Sequence, residues 1–161
     1  MRIGILFTII AVIIILIFMS KRKPEDTSSH IAPIFKKQGE LTFMRQDDKP
    51  IISIEIEIAD NDSKREIGLM GRPVMDERQG MLFIFEEEHF ASFWMKNTFI
   101  PLDMIFINKV GEIVTICKNT TPFSEQSYSA TELTFFVLEV NAGFTDRHNI
   151  KEGDRINWKR N

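Results

Sequence analysis

Four isoleucines at every second position, Ile52, Ile54, Ile56 and Ile58, alternate with Ser53, Glu55 and Glu57, and this segment constrains the fold more than any other. A period of two places the isoleucines on one face of an extended strand, and β-branched side chains favour that conformation. Such a strand needs neighbours for its backbone groups and a core for its apolar face. The Ser/Glu face is expected to meet water. The chain around this segment is therefore expected to build a sheet.

Other segments supply that sheet. Residues 41–44 read as a strand, and residues 81–85, after Gly80, form a fully apolar one. Residues 90–95 read as a further short strand. Residues 102–108 and 112–118 flank Lys109-Val110-Gly111, the spacing of a β-hairpin with glycine at a positive-φ position. Residues 119–132 are polar, contain Pro122 and read as a long loop. Residues 133–140 form a buried strand that carries Glu139, and residues 155–159 form a last strand after the Gly153-Asp154 turn.

Two short helices complete the pattern. Ser63-x-x-Glu66 is a capping box, and the helix it starts is expected to run to Arg72, because Pro73 disfavours helical geometry in the residue before it. A second helix near residues 145–148 follows Gly143, and Asn149 suits a left-handed cap. Seven or eight strands in sequential hairpins predict an α+β fold, mainly antiparallel, with a small barrel-like or sandwich core.

The first forty residues are of another kind. Residues 3–19 hold no charge, and Thr8 is their one polar side chain. As a helix they rise about 26 Å, at the short end of what spans a bilayer. Lys21-Arg22-Lys23 close the segment. A cleaved signal has a shorter apolar region and a small-residue cleavage site, and no lipobox cysteine follows here. Residues 1–20 are therefore read as an uncleaved transmembrane anchor, 21–40 as a polar tether, and 41–161 as one globular domain. Counting cations favours a cytoplasmic domain, whereas the two-residue tail before the apolar run has the shape of an export signal. An exported domain on a single-pass anchor is the preferred reading.

Charge and cysteine content narrow the chemistry. Residues 1–23 hold four of the 20 Lys+Arg and none of the 23 Asp+Glu, so the remainder carries 16 against 23, a net charge of −7. No basic cluster of the kind that grips nucleic acid is present. Glu86-Glu87-Glu88 reads as a solvated turn. The single cysteine, Cys117, excludes an internal disulfide and a Cys-x-x-Cys site. His30, His89 and His148 form no ligand pattern, and there is no phosphate loop, dinucleotide fingerprint or serine elbow. Met70, Met75, Met81, Met95 and Met104 raise the thought of Cu(I), but methionines in apolar strands are ordinarily core filler. No metal or cofactor is expected.

Three groups of residues can carry function. Arg65, Gly68, Leu69 and Arg72 would share one face of the first helix, where two arginines beside a glycine can grip an anion; the bland alternative is that each pairs with a domain carboxylate such as Asp103 or Glu139. Trp94, Lys96, Asn97 and Asp103 lie within ten residues. They suit a pocket wall with an aromatic platform and orienting polar groups, or else a buried polar network in which Lys96 pairs with Asp103. Glu139 shares a strand face with Phe135 and Val137, where a charge is costly unless paired; it reads as a paired structural carboxylate before a general base.

Several motifs recur here in one order: Gly68-Leu69-Met70-x-Arg72, Gly80-Met81-Leu82-Phe83, Phe93-Trp94-Met95-Lys96-Asn97-Thr98, Pro101-Leu102-Asp103, residues 137–143 (Val-Leu-Glu-Val-Asn-Ala-Gly) and Gly153-Asp154. With them the chain resembles the DUF192 family of small uncharacterised bacterial and archaeal proteins, over about residues 43–158. The resemblance implies a compact strand-rich domain, often behind an export signal or anchor. It implies no established reaction and no catalytic residues. Asn149 stands where the family's glycine is expected.

Three readings of function follow. The first is a membrane-tethered domain that binds a small anionic or sugar-like ligand with Arg65, Arg72, Trp94, Lys96, Asn97, Asp103 and Glu139. The second is a non-catalytic interaction or structural module of the cell envelope, its protein partner unidentified. The third, an enzyme using Asp103 or Glu139 as base, ranks last, because the sequence offers no nucleophile and no metal motif.

Overall fold

The computed structural model describes residues 33–161. The apolar segment 3–19 and most of the expected tether lie outside the described residues. Among the described residues no helix is long and apolar enough to cross a membrane.

Seven strands form one sheet: β1 (Gly39–Met44), β2 (Pro50–Ala59), β3 (Gln79–His89), β5 (Leu102–Ile107), β6 (Ile113–Cys117), β8 (Thr134–Asn141) and β9 (Arg155–Arg160). Their order across the sheet is β6-β5-β8-β3-β2-β1-β9. All neighbours are antiparallel except β2 and β3, which run parallel. A parallel pair needs a crossover. Here the crossover contains helix α1 (Asp62–Ile67) and the turns that follow it. The short strands β4 (Ser92–Phe93) and β7 (Tyr128–Ser129) pair separately, and α2 (Phe144–Arg147) follows β8.

The expected strands are present, and Gly111 takes φ 85° in the β5–β6 hairpin. The barrel is not closed. The outer strands β6 and β9 touch only at one end, through the isolated bridge between Glu112 and Arg155. Backbone bonds there run from Ile113 N to Asp154 O and from Ile156 N to Gly111 O, both 2.8 Å. Edges can meet in this way only if the sheet curls strongly, and the curl stops short of a continuous ladder.

Both faces of the sheet are covered. Ile54, Ile56, Ile58, Leu82, Ile105, Leu138 and Val140 pack with Leu41, Phe43, Phe144 and Ile156 in one core. The alternate positions, Met81, Phe83, Leu102, Met104, Phe106 and Val137, pack with Leu69, Ala91 and Met95 in a second. This corrects the expectation of a wet face on β2: Glu57 is buried. The reason is the crossover, which folds α1 and its turn over that side of the sheet.

Helix α1 is shorter than the capping box and Pro73 implied. Its N-cap is Asn61, whose side chain accepts a hydrogen bond from Lys64 N at 3.0 Å. It ends at Gly68, which takes φ 48° and ψ −130°. Glycine adopts that backbone without the Cβ clash that other residues meet. Arg65 and Arg72 consequently do not share a helical face.

Candidate functional site

One row of side chains crosses the second face of the sheet. Glu57 on β2 is paired in register with Met81 on β3, Met81 with Glu139 on β8, and Glu139 with Met104 on β5. Directly opposed residues of neighbouring strands project to the same side. Two carboxyl groups thus stand in an otherwise apolar layer, and their surroundings differ.

Glu57 is neutralised. Its carboxylate pairs with the buried guanidinium of Arg72 and accepts a hydrogen bond from Lys36 N at 2.9 Å. The two residues, with Lys36, Lys64 and Gly68, line a cavity of about 280 Å³ beside α1. Nε of Arg72 has no hydrogen-bond partner there.

Glu139 is not neutralised. It is only 4% exposed, and its carboxyl has neither an ion pair nor a hydrogen bond among the described residues. Both arginines do pair with domain carboxylates, but not with Glu139: Arg65 is bound to Asp62 and to the Ile84 carbonyl, and Arg72 to Glu57. Met81 and Met104, its cross-strand neighbours, offer no donor. Desolvation alone raises its pKa from 4.5 to about 8.

Glu139 opens into a cleft of about 220 Å³ between the C-terminal turn of α1 and the β4 segment. Its walls include Phe83, Phe85, Phe93 and Trp94, with Leu69, Met70, His89, Ser92 and Thr98. Phe83 and Phe93 meet edge to face at 4.9 Å, and so do Phe85 and His89 at 4.4 Å. Arg65 sits at the rim with its guanidinium 5.5 Å from the Phe85 ring centre. Trp94 remains 48% exposed, and Lys96 Nζ lies 4.9 Å from the centre of its ring.

The remaining expected site residues hold the fold together. Asp103 is fully buried, and its carboxylate accepts four hydrogen bonds: from the amides of Asn119, Gly143 and Thr145 at 3.0–3.1 Å, and from Thr145 Oγ1 at 2.7 Å. It ties β5 to the start of α2 and to the end of β6. It does not pair with Lys96 and faces no cleft. Asn97 takes φ 54° in the turn where Thr98 N bonds the Met95 carbonyl, and its own carbonyl accepts from Gly71 N at 3.0 Å. Asparagine tolerates that left-handed conformation, so its role is to shape the turn. Burial pushes the Cys117 thiol up, away from the thiolate a nucleophile needs.

The family model DUF192, described as "Uncharacterized ACR", matches residues 42–158. The chain belongs to the DUF192 family. Two solved structures resemble this DUF192 chain closely. A "putative transcription regulator" from Sinorhizobium meliloti 1021 is 36% identical with a TM-score of 0.73, over 78% of this chain and 98% of that one. A protein of unknown function from Novosphingobium aromaticivorans DSM 12444 is 33% identical with a TM-score of 0.70, over 74% of this chain and 84% of that one. No curated protein matches.

Of the seven residues singled out from the sequence, Arg65, Trp94 and Glu139 line the DUF192 cleft; Arg72, Lys96, Asn97 and Asp103 do not. Sequence reading missed Phe83, Phe85 and Phe93. The available signal was the alternation Phe83, Phe85 on β3, which puts two rings on the face that Glu139 occupies on β8.

Proposed function

We propose that this DUF192 domain binds a small organic ligand in the cleft above Glu139. The observation that carries the reading is the buried carboxyl that lacks a partner and faces a cavity walled by four aromatic rings. A carboxyl that meets no protein donor at the floor of a concave aromatic site is a place for a ligand's polar end. The rings favour a flat or weakly hydrated ligand face, such as that of a sugar. An anion is disfavoured, because both nearby arginines are engaged and the floor is a carboxyl group.

The test is a thermal-shift and fluorescence screen of the full chain in a maltoside detergent, with sugars, amines and small anions. A Trp158→Phe background leaves Trp94 as the sole indole reporter. A ligand at a hundred times its Kd adds about 2.7 kcal/mol to stability. A binder should quench Trp94 and lose affinity when Phe93 is replaced by Ala. A panel in which nothing shifts the melt or the fluorescence would sink the reading.

The apolar segment 3–19 supports tethering of the domain to a membrane, with the domain on the exported side. Fractionation and protease accessibility of intact cells test that part separately. The Sinorhizobium relative's description as a regulator does not lead us to a DNA-binding reading, since the chain beyond residue 23 carries a net charge of −7.

A second reading, a non-catalytic interaction module, has its own support. Phe99 and Phe123 are both exposed and stack edge to face at 5.0 Å, with Phe123 at φ 60°. A non-glycine residue in that conformation is uncommon, and here it holds a ring in solvent. Cross-linking from position 123 to a protein partner, together with an unresponsive cleft, would favour this reading.

A further inference from the structure

We propose that the ligand of the cleft is a small organic cation, an alkyl or quaternary ammonium, whose charge is paired by Glu139 and caged by the surrounding rings. This rests on the cleft being a ligand site, and it names the chemistry of the ligand.

Four carboxylates are buried among the described residues. Glu57 has Arg72, Asp103 has four hydrogen-bond donors, and Asp154 has Arg45 Nη1 at 2.9 Å and Lys151 N at 2.9 Å. Glu139 alone has none of these, and it alone faces the aromatic cleft. A carboxyl without a donor can take a cation as its partner once it gives up its proton. The cavity supplies the space in which that partner can sit.

The walls fit the same partner. Aromatic faces carry a negative quadrupole and attract cations, and aromatic cages are a recurring way to hold quaternary ammonium groups. Phe83, Phe85, Phe93 and Trp94 surround the approach to Glu139. The chain already uses this chemistry at the rim, where Arg65 lies over Phe85 and Lys96 over Trp94. Lys96 lies outside the cleft lining, and Arg65, which is part of it, is engaged by Asp62 and the Ile84 carbonyl. Arg65 is the one cation in the lining, and it is not paired with Glu139.

Binding of such a cation is coupled to a proton. Burial holds Glu139 protonated up to about pH 8, so below that value a cation must displace the proton to form its ion pair. The other charged or titratable groups lining the cleft are Arg65 and Glu66 from the α1 segment and His89 from the end of β3; β8 contributes Glu139 itself, and β5 faces it with Met104. A His89→Gln background removes the one histidine that lines the cleft.

Choline and tetramethylammonium are suitable probes, because their own charge does not titrate. Titrations on the full chain in that background, from pH 6 to pH 9, follow Trp94 fluorescence and the melting temperature. The expected result is affinity that rises about tenfold per pH unit up to about pH 8 and then levels off. Calorimetry in two buffers of different ionisation enthalpy should register release of about one proton at pH 6.5. Glu139→Gln should weaken binding at least about tenfold at pH 8. Cation binding that ignores pH and survives Glu139→Gln would overturn the assignment of the counter-ion. Sugars that bind while both cations do not would overturn the ligand class and leave the cleft a ligand site. Failure of every probe class would remove both readings.

Discussion

Glu139 gives the molecule an inverted pH dependence at one position. Its folded pKa of about 8 lies above the ordinary 4.5, so between these values the folded state holds a proton that the unfolded state has lost. Stability contributed by this group is present below about pH 4.5, falls as pH rises toward 8, and is constant above it. At about 1.4 kcal/mol per pKa unit, the effect amounts to a few kcal/mol. Glu139→Gln should therefore raise Tm, with the gain over the wild-type growing from pH 5 to pH 8; a gain that stays the same at both pH values would refute the burial argument. Asp103 is the opposite case, a carboxylate whose four donors are all supplied by the fold. In Asp103→Asn the new NH₂ faces backbone amides that donate, and we expect a loss of about 3 kcal/mol in urea unfolding. A loss below 1 kcal/mol would show that the tie between β5 and α2 matters little.

At the scale of elements, the cleft exists because α1 stops early. Gly68 ends the helix at φ 48°, and a Cβ placed there would come within 3.2 Å of the Phe83 ring. Gly68→Ala combines backbone strain with intrusion into the aromatic wall. It should cost about 1–3 kcal/mol and weaken any ligand that packs on Phe83; a variant with unchanged melting and binding would mean that the turn relaxes freely. The strands were legible in the sequence because period-two alternation and turn residues are local signals: 52–58, 81–85 and the 102–118 hairpin all announced themselves. The helix end was not, since Pro73 gave a later stop than the one Gly68 imposes. The candidate site was legible only in part. Trp94 and Asp103 look alike in sequence, as conspicuous residues beside an apolar strand. Which of them faces a cleft depends on what the crossover and the 143–145 turn bring against each, and that is long-range information. Glu139 was visible as an anomaly, but its lack of a partner is a property of Met81 and Met104 on strands far away in sequence.

For the whole molecule, the curl of the sheet turns two edge strands into near neighbours. The seam between Gly111–Ile113 and residues 153–156 should make the amides of Ile113, Gly153 and Ile156 exchange hydrogen as slowly as those of central β8. Fast exchange at these three positions, with β8 protected, would show that the seam opens independently. β9, the last strand in sequence, pairs with β1, the first, and β8 fills the gap between β3 and β5. A growing chain that has reached residue 130 presents both sides of that gap as bare strand edges, and β1 still lacks one neighbour. The two parts of the sheet cannot be joined before β8 is made. Until residues 134–160 are available the sheet is divided between β1-β2-β3 and the β5-β6 hairpin, and the strand edges that β8 will join stay bare.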